Sequence, residues 1–244
     1  MSVAILCGNH WVSTEFTEYM ISRYAQYLGF IEFDGVHDRL IAQCMGAQVP
    51  SNQYESEDKT IERIKAHGVT TVVLAWWPKI VHKINKLGIN VINTHPSYLP
   101  YNRGKYPSYW ALVDGTPFGA TIHMVDDGVD TGSILWQKKI QLGPTDTGES
   151  AYEKAAEAMY RLLFSVAYDI ARENFPAASA QDNKIATSHH SRDLEIPPIT
   201  NPTERAFIND LRARTYYNRR SGRKIEIDGK MYRIHLSLVE DEGS

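Results

Sequence analysis

Cysteine, long apolar runs and a phosphate-binding glycine cluster are what this chain lacks. Its 244 residues include two cysteines, Cys7 and Cys44. They are too few for a disulfide framework, and no metal-ligand spacing surrounds them. Cys7 lies inside the apolar run "VAILC", where a small buried thiol is expected. No stretch approaches the ~20 apolar residues needed to cross a bilayer. The opening "MSVAILCGNH" has no basic segment before its apolar run, so it reads as a first strand and not as a signal peptide. These absences together fit a reducing cytoplasm. "CGNHW" has one glycine where a dinucleotide-binding turn would carry G-x-G-x-x-G, which argues against a nicotinamide-dependent oxidoreductase. A dominant charge sign is also missing: 26 Lys and Arg against 29 Asp and Glu leave a net charge of -3. That argues against a nucleic-acid footprint over the whole surface and leaves a local one open. Apolar and charged fractions of 43% and 23% are ordinary for a globular chain. The length suits one substantial domain with a small appendage.

What is present is an alternation of strand and helix patterns. "VAILC" (3–7), "TTVVLAWW" (70–77) and "INVINT" (89–94) read as buried strands. A helix capped at Ser13 or Thr14 is expected to bury Phe16, Met20, Ile21, Tyr24, Tyr27 and Leu28 and to end at Gly29. Ile80, Val81, Ile84 and Leu87 recur at helical spacing up to Gly88. This alternation predicts an α/β fold with a mostly parallel sheet and helices on both faces. Further on come a short helix in "SYWALVDG", strands over 120–125 and 133–140, and a long helix capped by Thr147. That helix should bury Tyr152, Ala155, Ala156, Met159, Leu163, Val166 and Ile170. After Pro176 the chain turns polar; beyond it "TERAFINDLRA" looks helical, and "KIEIDGKMYRIHLSL" signals a hairpin at Asp228-Gly229. The expected organisation is a catalytic domain over 1–176, a linker over 177–203 and a small helix-and-hairpin unit over 204–244. There is no internal repeat and no low-complexity tract.

Two stretches carry chemistry. In "NTHPSYLPYNRGKYP", Asn93 and His95 lie i, i+2 at the carboxyl end of a predicted strand, so both side chains face the same way. Strand ends of that kind form ligand crevices in open α/β sheets, and Pro96 stops the strand there. The pair fits either a reacting site or a strand-end turn that satisfies its own backbone. In "HMVDDGVDTG", Asp126, Asp127 and Asp130 share one loop after a strand. Calcium is one reading, but the twelve-residue EF-hand spacing and its closing acid are missing; a solvated turn is another.

Taken together, "NTHPSYLPYNRG…YW…G…GATIHMVDDGVDTGSILWQ" resembles the formyltransferases that use N10-formyltetrahydrofolate. The resemblance is dense over 90–150 and looser over 1–90. It implies a Rossmann-like sheet, a folate co-substrate without a metal, and Asn93, His95 and Asp130 as catalytic residues, with His123 in support. The chemistry of those side chains agrees. An amine attacking a formyl carbon makes an oxyanion, to which Asn93 and a protonated His95 can donate; one such donor is worth roughly 10²–10³ in rate. Asp130 can orient His95 and relay the amine proton through water. The resemblance also sets the pterin against Trp77, Pro78 and Ile80 and against the Asp126–Gly128 loop. For Trp76 and Trp77, core or lid packing is the competing reading.

Within that family the run "PYNRGK" is most similar to the sugar N-formyltransferases, and to the branch acting on dTDP-4-amino-4,6-dideoxyglucose for O-antigen or related glycans. Lys79, Asn102, Arg103 and Lys105 would then face the substrate, the cations on its diphosphate. A solvated turn, or for Arg103 an internal ion pair, is the alternative. The resemblance further implies a homodimer through the C-terminal unit. Rival acceptors are glycinamide ribonucleotide and methionyl-tRNA; a binding protein without turnover is the reading from another class. The basic set Arg205, Arg212, Arg214, Arg219, Arg220, Arg223 and Lys224 is the argument for RNA, and the shortness of the appendage is the argument against it. His189-His190 reads as a solvated loop, or as one folding back over the site mouth. The contacts of Asn9 and His10 are left unassigned.

Overall fold

The computed structural model describes residues 2–194, 204–216, 222–227 and 229–238. A seven-stranded sheet runs in the order β3-β2-β1-β4-β5-β7-β8. Its strands are β1 (Val3–Cys7), β2 (Leu28–Phe33), β3 (Ser51–Gln53), β4 (Thr71–Ala75), β5 (Asn90–His95), β7 (Phe118–Met124) and β8 (Ile134–Ile140). From β3 to β5 every pairing is parallel; β7 runs antiparallel to β5. The crossovers include α1 (Trp11–Tyr24), α2 (Asp38–Gly46) and α3 (Glu57–Ala66). Strands covered on both faces need continuous apolar runs, and all five residues of β1 and of β4 are buried. Ala4, Leu6, Phe30, Val72, Leu74 and Val91 form the centre of that core. The fold is the expected Rossmann-like α/β class.

Two expected helices differ. The first begins earlier than its hydroxyl caps suggest: His10 is the N-cap, its Nδ1 accepting from Val12 N at 3.3 Å, while the Ser13 and Thr14 hydroxyls donate back to His10 O. It stops at Tyr24, and Leu28 and Gly29 belong to β2. The second, over 80–87, does not form; only a 3₁₀ turn spans Ile84–Lys86. Glu57 takes over the amides a helix would have used, accepting from the N–H groups of His82, Lys83 and Ile84 at 2.6–2.9 Å. Val81 and Ile84 are buried, but Ile80 is exposed, so the apolar spacing never closes into one face.

The chain divides into two compact units. Residues 1–95, 121–138 and 157–181 form the first; residues 96–120, 139–156 and 182–244 form the second. The second is built on α4 (Pro107–Asp114), α6 (Glu204–Ala213) and the first turns of α5 (Gly148–Ala171). Tyr109, Trp110, Leu112, Phe118, Ala151 and Ala213 make its core. The expected cap is present on α5, where Ser150 N donates to Thr147 Oγ1 at 3.2 Å. The expected hairpin is also present, as β10 (Arg223–Ile227) against β11 (Lys230–Ile234) in antiparallel register.

Candidate active site

Three side chains of the first unit meet at one carboxylate. Asn93 and His95 project from β5, and Asn93 lies directly opposite His123 of β7 in the antiparallel register. Residues placed so share a face and touch: Asn93 Nδ2 is 3.3 Å from His123 Nε2. The loop after β7 returns Asp130 over this pair. Asn93 Nδ2 donates to Asp130 Oδ1 at 3.3 Å. His95 Nδ1 lies 3.4 Å from Asp130 Oδ2, and His123 Nε2 lies 3.4 Å from Oδ1. Both imidazoles are buried, and the Asp130 side chain is 11% exposed. His123 Nδ1 donates to its neighbour's carbonyl, Met124 O, at 2.7 Å. That bond fixes the Nδ1–H tautomer in the neutral ring, leaving Nε2 to face Asn93 and Asp130. The arrangement offers a polarised carboxamide, two oriented imidazoles and one shared anion. Those are the groups needed to stabilise an oxyanion and to move a proton.

The Asp130 loop is built for a tight return. Asp130 itself has φ 54°, the left-handed region. Asp126 folds into its own turn, Oδ1 accepting from Gly128 N at 3.1 Å and from the Thr131 hydroxyl. A Cβ at Gly128 would sit 2.1 Å from Thr131 Oγ1, and one at Gly132 would sit 1.8 Å from Met124 O. Glycine at 132 is therefore a steric requirement, while a side chain at 128 would have to displace the Thr131 hydroxyl from Asp126. Asp127 is exposed and pairs with Lys86. Among the described residues no group of three or more His, Cys, Asp or Glu is placed to hold a metal ion.

The other expected donor-site residues lie after β4. Trp76 has φ 50°, its N–H donates to Thr94 Oγ1 at 2.7 Å, and its ring stacks on His10 at 4.2 Å and 7°. Burial lowers the His10 imidazole to about 4, so this partner is neutral near pH 7. Trp77 is buried, Pro78 and Ile80 are exposed. Lys79 pairs with Asp34, and its ammonium lies 5.1 Å from the Tyr54 ring centre and 5.0 Å from that of Trp77.

In the second unit the run Asn102–Lys105 holds a returning segment. Asn102 is fully buried with φ 57°; its Nδ2 donates to Thr116 Oγ1 at 2.9 Å, and Thr187 Oγ1 donates to its Oδ1 at 3.3 Å. Arg103 is buried and its Nη2 donates to Asn183 Oδ1 at 2.9 Å. β6 (Arg103–Gly104) pairs in parallel with β9 (Ser188–His189). His189 stacks on Trp110 at 4.0 Å and 5°, with Nε2 3.4 Å from Asp114 Oδ2. Burial lowers its imidazole, against the pull of Asp114. The expected solvated loop at His189 is thus a docked strand. Lys105 alone of the run is exposed. Gly104 has φ 87°, and a Cβ there would lie 2.2 Å from His189 O. Gly104→Ala is expected to destabilise this unit by ~1–3 kcal/mol, read as a lower urea midpoint; an unchanged midpoint would rule out the close crossing.

Residues 38–167 match the family model described as formyl transferase, and the chain belongs to that family. Over 159 residues it is 27% identical to a dTDP-4-amino-4,6-dideoxyglucose formyltransferase of Mycobacterium tuberculosis, covering 64% of this chain and 67% of that one. Over 131 residues it is 32% identical to a methionyl-tRNA formyltransferase of Desulforamulus reducens, covering 53% of this chain and 40% of that one. An N-formyltransferase from Helicobacter canadensis, solved with folinic acid and dTDP-3-aminofucose, shares the fold with a TM-score of 0.68 at 16% identity, over 87% of this chain and 80% of that one. The protein is an N-formyltransferase.

Proposed function

We propose that this enzyme transfers the formyl group of N10-formyltetrahydrofolate to the amine of a nucleotide-linked amino-dideoxy sugar, in the first instance dTDP-4-amino-4,6-dideoxyglucose. The observation that carries this reading is the convergence of Asn93, His95 and His123 on the Asp130 carboxylate. The amine lone pair adds to the formyl carbon, and the carbonyl oxygen becomes an oxyanion that accepts from Asn93 and from protonated His95. Collapse breaks the carbon–N10 bond; the amine gives up one proton and N10 gains one. Asp130 holds His95 and passes that proton through water. Groups fixed in advance in a dry site stabilise developing charge without reorganising. Folinic acid, a folate, and the nucleotide-linked amino sugar dTDP-3-aminofucose are the ligands with which the Helicobacter enzyme was solved. Trp77, Pro78, Ile80, Asp126 and Gly128 are assigned to the donor, and exposed Lys105 to the substrate diphosphate. Lys79 would first have to leave Asp34.

The basic set near the C-terminus bears on the rival acceptor. Arg212 donates to Gly143 O and Pro144 O, while Arg214 and Arg223 both pair with Asp210. Arg219 and Arg220 lie outside the described residues. Three of the seven cations are thus engaged inside the unit, which favours a sugar over an RNA acceptor. No helix among the described residues is long and apolar enough to cross a membrane. The test offers formyltetrahydrofolate with dTDP- and GDP-linked 3- and 4-amino sugars, glycinamide ribonucleotide and methionyl-tRNA, and reads product mass. Formylation of an amino sugar is expected. Turnover confined to glycinamide ribonucleotide or to methionyl-tRNA would overturn the reading.

A further inference from the structure

We propose that Gln181 is a positioning residue for Asp130, and that its side-chain amide locks the returning loop in the geometry in which the carboxylate meets His95. This rests on the reading of the site given above and extends it to a residue outside every motif. Past α5 the chain makes one isolated antiparallel bridge, Ser179 with Ile134, closed by two N–H···O bonds of 2.8 Å. Two residues further on, Gln181 Nε2 donates to Asp130 O at 2.9 Å and to Gly132 O at 2.7 Å. One primary amide, with its two hydrogens, thus ties the carbonyl of the acid to the carbonyl two residues along. All of these groups belong to the first unit.

The need for such a lock follows from the loop. Asp130 sits in the left-handed region without being glycine, a conformation that costs about 1–2 kcal/mol and must be held by its surroundings. The Asp126 bonds to Gly128 and Thr131 brace the front of the turn. Gln181 braces the back, where the Asp130 peptide plane is decided. The direction of the Cα–Cβ bond follows from that plane. The contacts of the carboxylate with Asn93, His95 and His123 are all 3.3–3.4 Å, so there is little slack before they are lost. Misplacing a reacting group by ~1 Å can cost about 10²-fold in rate.

Gln181→Met keeps the length and removes both N–H donors; Gln181→Glu keeps the shape and puts one carboxylate oxygen where the nitrogen faced both carbonyls. Both would be assayed with N10-formyltetrahydrofolate and the acceptor that the substrate panel identifies, in the native background and in Asp130→Asn, alongside thermal melting. Either variant that remains folded is expected to lose roughly 10–100-fold in kcat, with KM for both substrates nearly unchanged. In the Asp130→Asn background the same substitution is expected to cost little more, because the group it positions is already gone. An unchanged kcat in a folded variant would overturn the inference. Equal losses in both backgrounds would also overturn it, since they would make Gln181 a general packing residue. If Asp130→Asn itself left kcat intact, the reading of the site would fall first, and the separate Asp130→Asn measurement would show which of the two had failed.

Discussion

Asp130→Asn is expected to lower kcat by roughly 10²–10⁴ while leaving KM for the folate and the sugar close to native, the range typical of a lost general acid–base partner. The substitution is isosteric, so the loop bonds to Gln181 and the turn made by Asp126 survive. What changes is the charge and one of the two oxygens. In the native site, Oδ1 takes the Asn93 amide and faces His123 Nε2, while Oδ2 faces His95 Nδ1. An amide group cannot serve both sides. One side would meet an NH₂, which opposes the donor of Asn93 or the proton of a charged His95. Neither the oxyanion donors nor the proton path would then be held. Steady-state kinetics with melting temperature as a control distinguishes this from loss of fold. A native kcat in a folded protein would remove the mechanism proposed for the site.

Asp210→Ala is expected to cost about 3–5 kcal/mol of stability, because it strips the anion from a buried cluster. Asp210 is 4% exposed. Its Oδ1 accepts from Tyr109 OH at 2.7 Å and from Arg214 Nε at 2.8 Å, and Arg223 pairs with Oδ2. Arg214 also donates to Tyr109 OH and lies 5.0 Å from its ring centre. The single carboxylate therefore joins α4, α6 and β10. Without it two guanidiniums and a phenol share a small volume with no counter-charge. Burial raises the Asp210 carboxyl, and the bonds from Arg214, Tyr109 and Arg223 together outweigh that, leaving it below the usual carboxylate range. A folded-state value below the unfolded one of ~3.9 stabilises above that pH, and the contribution is lost as pH falls through the folded value. Urea unfolding at neutral pH should show the full gap between native and variant, and the gap should narrow below about pH 4. A gap that is small at neutral pH, or independent of pH, would contradict the network.

The legible parts of the fold were those dictated by local chemistry. The strands at 3–7 and 71–75 are buried throughout and that at 90–95 at four of its six positions, and they read as strands. β2, "LGFIEF", did not stand out, because Gly29 and Glu32 interrupt its apolar pattern. Glu32 is fully buried there only because Thr60 and Arg63 donate to its carboxylate at 2.6 Å, and those partners come from α3. α3 itself buries only Thr60 and Ile64 out of ten residues, too thin a stripe to notice. The helix expected over 80–87 failed for a related reason: Glu57, more than twenty residues earlier, captured its amides.

The site divides in the same way. Asn93 and His95 announce themselves by strand period and a following proline. Asp130 lies 35 residues beyond His95, and only the family motif linked them; no periodicity could have. Gln181 sits in a polar stretch with nothing local to mark it. Its importance arises from one bridge, between Ser179 and Ile134, that sequence spacing does not encode.

The run that pointed most directly to a sugar acceptor has its side chains turned inward. Asn102 and Arg103 hold the chain that comes back through Asn183 and Thr187, and Gly104 exists to let His189 pass. A relative that shares Asn-Arg-Gly at this place therefore declares that it has the same returning segment. The exposed neighbours of the triplet are Lys105 and Tyr106, so a survey sorting such enzymes by acceptor should compare those two positions separately from it.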